Sequence, residues 1–446
     1  MGCGRCRGEE KKCLSNVYFE LDCFKWVEER EESVKELVFK YVILFGDDSA
    51  SKISAFANQK VSSHSEGRDL IQLGLGSKKK IKTLFREVPG KPSVFVRSTA
   101  KSDSNHCHDI NVLPLAKIEA MGVDELSDDQ VHYFESHGAI VLKNDLVSAM
   151  TSVRSQNLMH SAVHKSHIWH VDHVLKGRPR EGYGKGVRVG IVDTGLDASH
   201  PEFKGTRTVL ARFRGHRTDV VPFPHFDKFG HGTSVASIIC GRNLGLSPGV
   251  EIAVCDVFEN RKARILDVLH GINWLCDNPF GDGRPVDVIN MSLGLVGYNS
   301  VFEEIIATAV EKEGIIFVAA VGNDSHTSGP TTSPACYTDV ISVGALNRAG
   351  NQASFSNVGQ AQIGGPEQPD IWAPGVEIYC ATQGGKYDSL DGTSFAAPVV
   401  SAIVARAIAK NRAAKQPKGD IRSVVFGGAV SAPCLPGNPL SVLCVV

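Results

Sequence analysis

The chain has 446 residues, 42% of them hydrophobic and 22% charged, with 48 Lys+Arg against 49 Asp+Glu. A net charge of -1 without a long basic stripe excludes a charge-driven nucleic-acid binder, and no apolar run is long enough to predict a transmembrane segment. The length accommodates two to three domains, one of them with a large core.

Residues 1–35 are charged and hold Cys3, Cys6, Cys13 and Cys23, and they read as a poorly ordered, Cys-rich head. Cys3 and Cys6 form a C-x-x-C pair with no second pair beside it, so reduced thiols are a better reading than half a zinc site. The start, "MGCGRCRGEEKKC", is polar and no apolar segment follows it, which taken literally predicts a cytoplasmic protein.

From Val38 the pattern changes. "FKYVILFG" (39–46) predicts a buried strand and "SASKISAFANQKVSSH" (49–64) a helix. "INVLPLAKIEAM" (110–121) predicts a strand. Ser127 before two acids and Gly138 beyond them predict a capped helix, and "AIVLKND" (139–145) another strand. Together these make a small α+β domain over residues 36–146. Residues 147–168 are polar and rich in Ser and His, and read as a linker.

A second domain is expected over 169–446. Apolar strands ("GVRVGIVDTG", "VEIAVCDVF", "VDVINMSLG", "IIFVAAVGN", "VISVGAL") alternate with helical segments ("GHGTSVASIICG", "RILDVLHGINWLCDN", "VFEEIIATAVEKEG", "TSFAAPVVSAIVARAIAK"). That alternation predicts a mostly parallel sheet covered by helices on both faces, a three-layer α/β fold. Such sheets bind ligands at the carboxyl ends of their strands. Asp193 ends the first strand, while His231 and Ser394 each follow a glycine-containing turn at a helix start. Alone, each is an ordinary turn or cap residue. Together they suggest nucleophilic acyl transfer, because a serine hydroxyl needs a base, an imidazole supplies one, and a carboxylate orients the imidazole. Pro398 is expected to lie close enough to the start of its helix that its missing N–H costs little.

"GIVDTGLDASHPEF", "GHGTSVAS" and "GTSFAAPVVSA" resemble the three catalytic blocks of the subtilisin-like serine proteases, in the same chain order. The resemblance implies a subtilisin-like fold from about Trp169 to Lys410 and a serine endopeptidase with Asp193, His231 and Ser394 as its triad. It implies that Asn323, with the Ser394 N–H, donates to the oxyanion. Ser292, Leu293 and Gly294 match the edge that pairs with an extended peptide. The S1 pocket is expected between them and Ala319, Ala320 and Val321, and to prefer an apolar side chain. "ENRKARI" (259–265) departs from the family pattern. Its Arg261, Lys262 and Arg264 are read either as selecting acidic residues upstream of the cut or as a solvated loop.

The first domain, clearest in "INVLPLAKIEAMGVDELSDDQVHYFESHGAIVLKND", resembles the family's inhibitor-type propeptide. The chain would then be a zymogen whose own propeptide acts as an intramolecular inhibitor, with self-cleavage between Leu146 and Gln156. Peptides or proteins are the expected substrates. No cofactor is expected for catalysis and no metal site is assigned, although the resemblance leaves structural calcium open. Two other readings stay open: a narrow-specificity maturation protease, and an inactive relative used as a binding module. Cys240, Cys255, Cys276, Cys336 and Cys380 are read as buried thiols or partners in a disulfide.

Overall fold

The computed structural model describes residues 168–415 apart from 181–182, 216, 223–226, 296–297, 325–330 and 360–367. Outside that range it describes 41–45, 96–97, 109–110, 112–115, 120–123, 128–136, 139–144, 146–149, 153–154, 429–432 and 440–443. The head with its four cysteines and the helix expected at 49–64 lie outside the described residues.

The N-terminal part is an antiparallel sheet of β1 (Tyr41–Phe45), β4 (Val112–Leu115), β5 (Ala120–Val123) and β6 (Ala139–Lys143), in the order β4-β5-β1-β6. The strand expected at 110–121 is a hairpin: β4 and β5 pair antiparallel from Val112↔Val123 to Leu115↔Ala120. Helix α1 (Asp128–Ser136) begins right after Ser127. A short pair, β2 (Val96–Arg97) with β3 (Asp109–Ile110), stands apart from this sheet. Two further strands follow in the segment expected as a linker, β7 (Leu146–Ala149) and β8 (Val153–Arg154).

Helix α2 (Trp169–Leu175) leads into a ten-stranded sheet. Its central members are β9 (Arg188–Asp193), β10 (Thr208–Arg214), β12 (Glu251–Asp256), β14 (Val288–Met291), β16 (Ile316–Ala320), β17 (Val340–Leu346) and β18 (Ile371–Pro374), in the order β10-β12-β9-β14-β16-β17-β18. Every neighbouring pair in that run is parallel. The edges turn antiparallel, with β11 (Arg217–Val220) beside β10 and the hairpin β21 (Ala429–Ala432)–β22 (Leu440–Leu443) beyond β18. All residues of β9, β14, β17 and β18 are buried, as expected of strands covered on both faces.

Side chains alternate between the faces, so each face has its own core. On one face Val189, Ile191, Val318, Ala320 and Val343 pack with α3 (His231–Cys240) and α6 (Thr393–Ala413). On the other Val192, Ile289, Met291, Phe317 and Ala319 pack with α4 (Ile265–Asp277) and α5 (Ser300–Glu313). Val42, Leu44 and Ala120 of the N-terminal sheet join this second core. Among the described helices only α6 is long and apolar enough to cross a membrane by length and composition, and most of it is buried inside the body. Smaller strands complete the fold: β13 (Lys262–Arg264), β15 (Leu293–Gly294) and the hairpin β19 (Ile378–Thr382)–β20 (Lys386–Asp391). Cys240, Cys255, Cys276, Cys336 and Cys380 are buried thiols outside any disulfide.

A helix cap also ties the N-terminal part to the body. Arg264, the residue before α4, offers no side-chain cap. Asn144, just past β6, supplies one instead: its Oδ1 accepts from Leu266 N at 2.9 Å. The first turn of a helix has N–H groups without intrahelical acceptors, and capping one contributes about 1 kcal/mol. Asn144→Ala is therefore expected to speed amide exchange at Leu266 by roughly fivefold, read by hydrogen–deuterium exchange of the full chain.

Candidate active site

Asp193 is the last residue of β9, at the carboxyl edge of the sheet, and is 1% exposed. His231 opens α3. Two glycines make that placement possible. Gly230 takes the left-handed turn into the helix at φ 80°. At Gly232 a Cβ would stand 2.2 Å from the Gly195 carbonyl oxygen, so only glycine lets the helix start approach the end of β9. His231 Nδ1 then lies 2.8 Å from Asp193 Oδ1. A carboxylate only accepts, so the imidazole donates from Nδ1 and carries its lone pair on Nε2. Thr194 N donates to the same Asp193 oxygen at 2.7 Å.

Burial alone would lower the His231 pKa. The Asp193 carboxylate, through charge and hydrogen bond, and the Asp227 charge outweigh burial, while Arg261 opposes them. The net is a pKa above the ordinary imidazole value.

Asp227 is fully buried, and nothing in the sequence distinguishes it from an ordinary turn residue. Its Oδ1 accepts from Thr194 Oγ1, Phe229 N and Gly230 N, and its Oδ2 from Thr233 N and Oγ1, all between 2.8 and 3.0 Å. These five bonds hold the loop before His231 and the first turn of α3 against the residue that follows Asp193.

Ser394 is the second residue of α6 and is fully buried. The Phe395 ring beside it stands 5.6 Å from the His231 ring. Among the described residues Ser394 Oγ, His231 Nε2 and Asp193 Oδ2 have no hydrogen-bond partner. Asn323 follows the turn after β16. Its Oδ1 accepts from Thr393 N at 2.9 Å and Thr393 Oγ1 at 2.8 Å. These bonds fix the amide's orientation: its oxygen is tied to Thr393, so the NH2 is the end that can donate elsewhere. The Ser394 N–H lies in the first helical turn, where the helix provides no acceptor.

Pro398 does more than its expected small cost. It is the sixth residue of α6, beyond the first four, so its missing N–H leaves the Ser394 carbonyl without a helical donor. Ser292 Oγ takes that place, donating to Ser394 O at 2.8 Å. Asn290 Nδ2 donates in turn to Ser292 Oγ, and Ser401 Oγ to Asn290 Oδ1. The Ser292 side chain thus points inward and anchors Ser394, while its neighbours Leu293 and Gly294 form the strand edge. Ala319, Ala320 and Val321 are fully buried on and just after β16; Ala319 and Val321 face the α5 side and Ala320 the α6 side.

The β13 and β15 edges are paired with a segment of the same chain. Strand β7 lies antiparallel between β13 and β15, with Leu146 opposite Arg264, Val147 opposite Ala263, Ser148 opposite both Lys262 and Gly294, and Ala149 opposite Leu293. Strand β8 pairs with β20, which leads directly into Ser394, with Val153 opposite Asp391 and Arg154 opposite Leu390. Arg261, Lys262 and Arg264 are exposed, and the β7 residues opposite Lys262 and Arg264, Ser148 and Leu146, carry no charge; Lys262 also forms a backbone bridge with Glu259 across its own turn. Among the described residues no group of three His, Cys, Asp or Glu side chains could hold a metal ion.

Residues 184–429 match the subtilase family. The chain is 37% identical over 227 residues to subtilisin-like protease 3 of Pseudogymnoascus destructans, covering 50% of this chain and 52% of that one. It is 33% identical over 218 residues to alkaline protease 1 of Aspergillus flavus, covering 48% and 50%. It is 34% identical over 240 residues to a subtilisin of Bacillus pumilus, covering 52% and 80%. The chain spans about half the length of the first of these relatives. The crystal structure of a cold-adapted subtilisin-like serine proteinase superposes with a TM-score of 0.52 at 28% identity, covering 62% of this chain and 98% of that one. The expected three-layer α/β fold is therefore the observed one. The expected cytoplasmic location is corrected by the same matches: the relatives are subtilisins and alkaline proteases, which points outside the cell. The polar start of the sequence carried no information about that.

Proposed function

The chain belongs to the subtilase family, and from that premise we propose that it is a serine endopeptidase made as a zymogen. The observation that carries this reading is the Asp193–His231 hydrogen bond at the end of β9, beside the helix start that bears Ser394. His231 Nε2 takes the proton of Ser394 Oγ as that oxygen attacks a peptide carbonyl. Asp193 holds the tautomer and stabilises the imidazolium. The oxyanion receives the Asn323 NH2 and the Ser394 N–H. His231 then gives its proton to the leaving amine, and water repeats the sequence on the acyl-enzyme. Every proton has a carrier in this scheme, so we propose no cofactor for the chemistry; structural calcium would act on the fold alone.

The β7 pairing supports a second part of the reading. A strand hydrogen-bonded on both sides by β13 and β15 leaves those edges nothing to offer an outside peptide, so the N-terminal segment acts as an intramolecular inhibitor. A fluorophosphonate probe, applied with a casein assay to the protein freed of that segment, tests the reading. Labelling at Ser394 with casein hydrolysis is expected. Absence of both would leave a binding module.

Asn323→Ala is expected to lower kcat by roughly 10²–10³, about 3–4 kcal/mol, with little change in KM, because its NH2 acts only once the oxyanion forms. Steady-state kinetics on a chromogenic peptide check this. The same change strips Thr393 N and Oγ1 of their acceptor, so a modest fall in Tm accompanies it.

A further inference from the structure

We propose that Asp227 is a positioning residue for the reaction: its buried carboxylate sets the distance between His231 and Asp193, and with it the turnover rate. The proposal rests on the endopeptidase reading above.

His231 is the first residue of α3, and Gly230 in the cap position has no side chain to tie that helix start down. The glycines around His231 let it approach Asp193, but the same freedom would let it drift away. Asp227 supplies the missing cap from three residues upstream of Gly230. One carboxylate oxygen takes the Phe229 and Gly230 N–H groups, and the other takes the Thr233 N–H in the first turn. Its negative charge sits at the positive end of α3.

The same carboxylate reaches across to β9. Thr194 Oγ1 donates to Asp227 Oδ1 at 3.0 Å and accepts from Gly232 N at 3.0 Å. Thr194 follows Asp193, while Gly230 and Gly232 flank His231, so both ends of the Asp193–His231 bond are held to one buried group. Thr233 Oγ1 extends the clamp, donating to Asp227 Oδ2 at 2.8 Å and accepting from Asp197 N at 2.9 Å. Gln383, with its amide nitrogen turned to them, donates to the Asp227 and Lys228 carbonyls at 2.8 and 2.9 Å. That ties the loop to the β19–β20 hairpin, which leads to Ser394.

Every donor to the carboxylate is a main-chain N–H or a threonine hydroxyl. Asparagine has one acceptor oxygen in its amide, so its NH2 would meet a main-chain N–H whichever way it turned. A misplacement of about 1 Å at a reacting centre costs about 10²-fold in rate. The charge adds a separate effect. Burial lowers the His231 pKa, Asp193 at the end of β9 and Asp227 raise it, and Arg261 in the turn before β13 lowers it. Without the Asp227 charge, His231 stays neutral to lower pH.

The test uses the full chain, expressed as wild type, Asp227→Asn, Thr194→Val and Thr194→Ser. Values of kcat and KM on a chromogenic peptide are measured per Ser394 titrated to completion with a fluorophosphonate, which removes any unfolded fraction from the comparison. Asp227→Asn is expected to lose about 10²-fold in kcat with KM within about threefold. The acid limb of its kcat/KM profile is expected at lower pH than that of wild type. Thr194→Val loses the hydroxyl and keeps the Asp227 charge, so a loss of about tenfold in kcat with the acid limb in place is expected. Thr194→Ser, which keeps the hydroxyl, is expected to recover most of that loss. An unchanged kcat per titrated serine in Asp227→Asn, a loss confined to KM, or equal losses in Thr194→Val and Thr194→Ser would overturn the proposal. Should Asp227→Asn yield no reactive serine, the Thr194 pair decides alone. If wild type takes the label and cleaves while Asp227→Asn turns over as fast, the proposal fails and the endopeptidase reading stands. If wild type neither takes the label nor cleaves, both fail.

Discussion

Ser394→Ala is expected to lower kcat by roughly 10⁶ while leaving KM within a few fold, the size of loss that follows removal of the nucleophile from such a triad. The fold should not suffer. Ser394 Oγ is buried and has no hydrogen-bond partner among the described residues, so its removal breaks no bond and deletes an unsatisfied polar group. Alanine also suits a helical position better than serine. The Ser394 carbonyl, held by Ser292, and the Thr393 bonds to Asn323 do not involve the lost atom. A Tm equal to or slightly above that of the wild type is therefore expected beside the collapse in kcat, read by differential scanning fluorimetry and peptide kinetics on the same samples. His231→Ala should cost about as much in kcat, and the double variant little more, because the two residues act as a unit. Retention of more than about 1% of kcat by Ser394→Ala would mean that another group is the nucleophile.

Much of this arrangement is legible in the sequence because it is local. The strand ending in Asp193, the glycines around His231 and the turn before Ser394 are short segments whose composition dictates their geometry. The all-apolar runs of β9, β14 and β17 announce a sheet buried on both faces. What stays hidden depends on pairing through space. Nothing near Asp227 marks it as the anchor of the loop before His231; its five donors come from positions as far away as Thr194. Asn144 looks like the end of a strand, and its role as a cap is apparent only once Arg264 is seen to offer none. Ser292 reads as part of a peptide-binding edge, yet its side chain turns inward because Pro398 leaves the Ser394 carbonyl open. The two strands in the expected linker have the same cause. Leu146–Ala149 is too short and too mixed to signal a strand alone, and becomes one by completing two edges more than a hundred residues away.

Asp193→Asn is expected to lower kcat by roughly 10³–10⁴ and to move the acid limb of the pH profile to lower pH. The direction follows from the hydrogen bonds. Asp193 Oδ1 accepts from both Thr194 N and His231 Nδ1. An amide NH2 in that place would face the Thr194 N–H, so the asparagine keeps its oxygen there and turns its nitrogen to the Oδ2 position, where no described partner stands. His231 then retains its Nδ1–H tautomer and loses only the negative charge. That charge, together with its hydrogen bond, is the largest influence raising the His231 pKa against burial. Without it the imidazole stays neutral to lower pH, so the base remains available in more acid solution. Meanwhile the imidazolium formed in the transition state is no longer stabilised, and kcat falls across the whole range. A pH–kcat/KM series on both proteins checks the two effects together. If kcat fell but the acid limb stayed in place, the charge would not be what holds the His231 pKa up. If the limb moved to higher pH, the Asp193 carboxylate would not be the partner of His231.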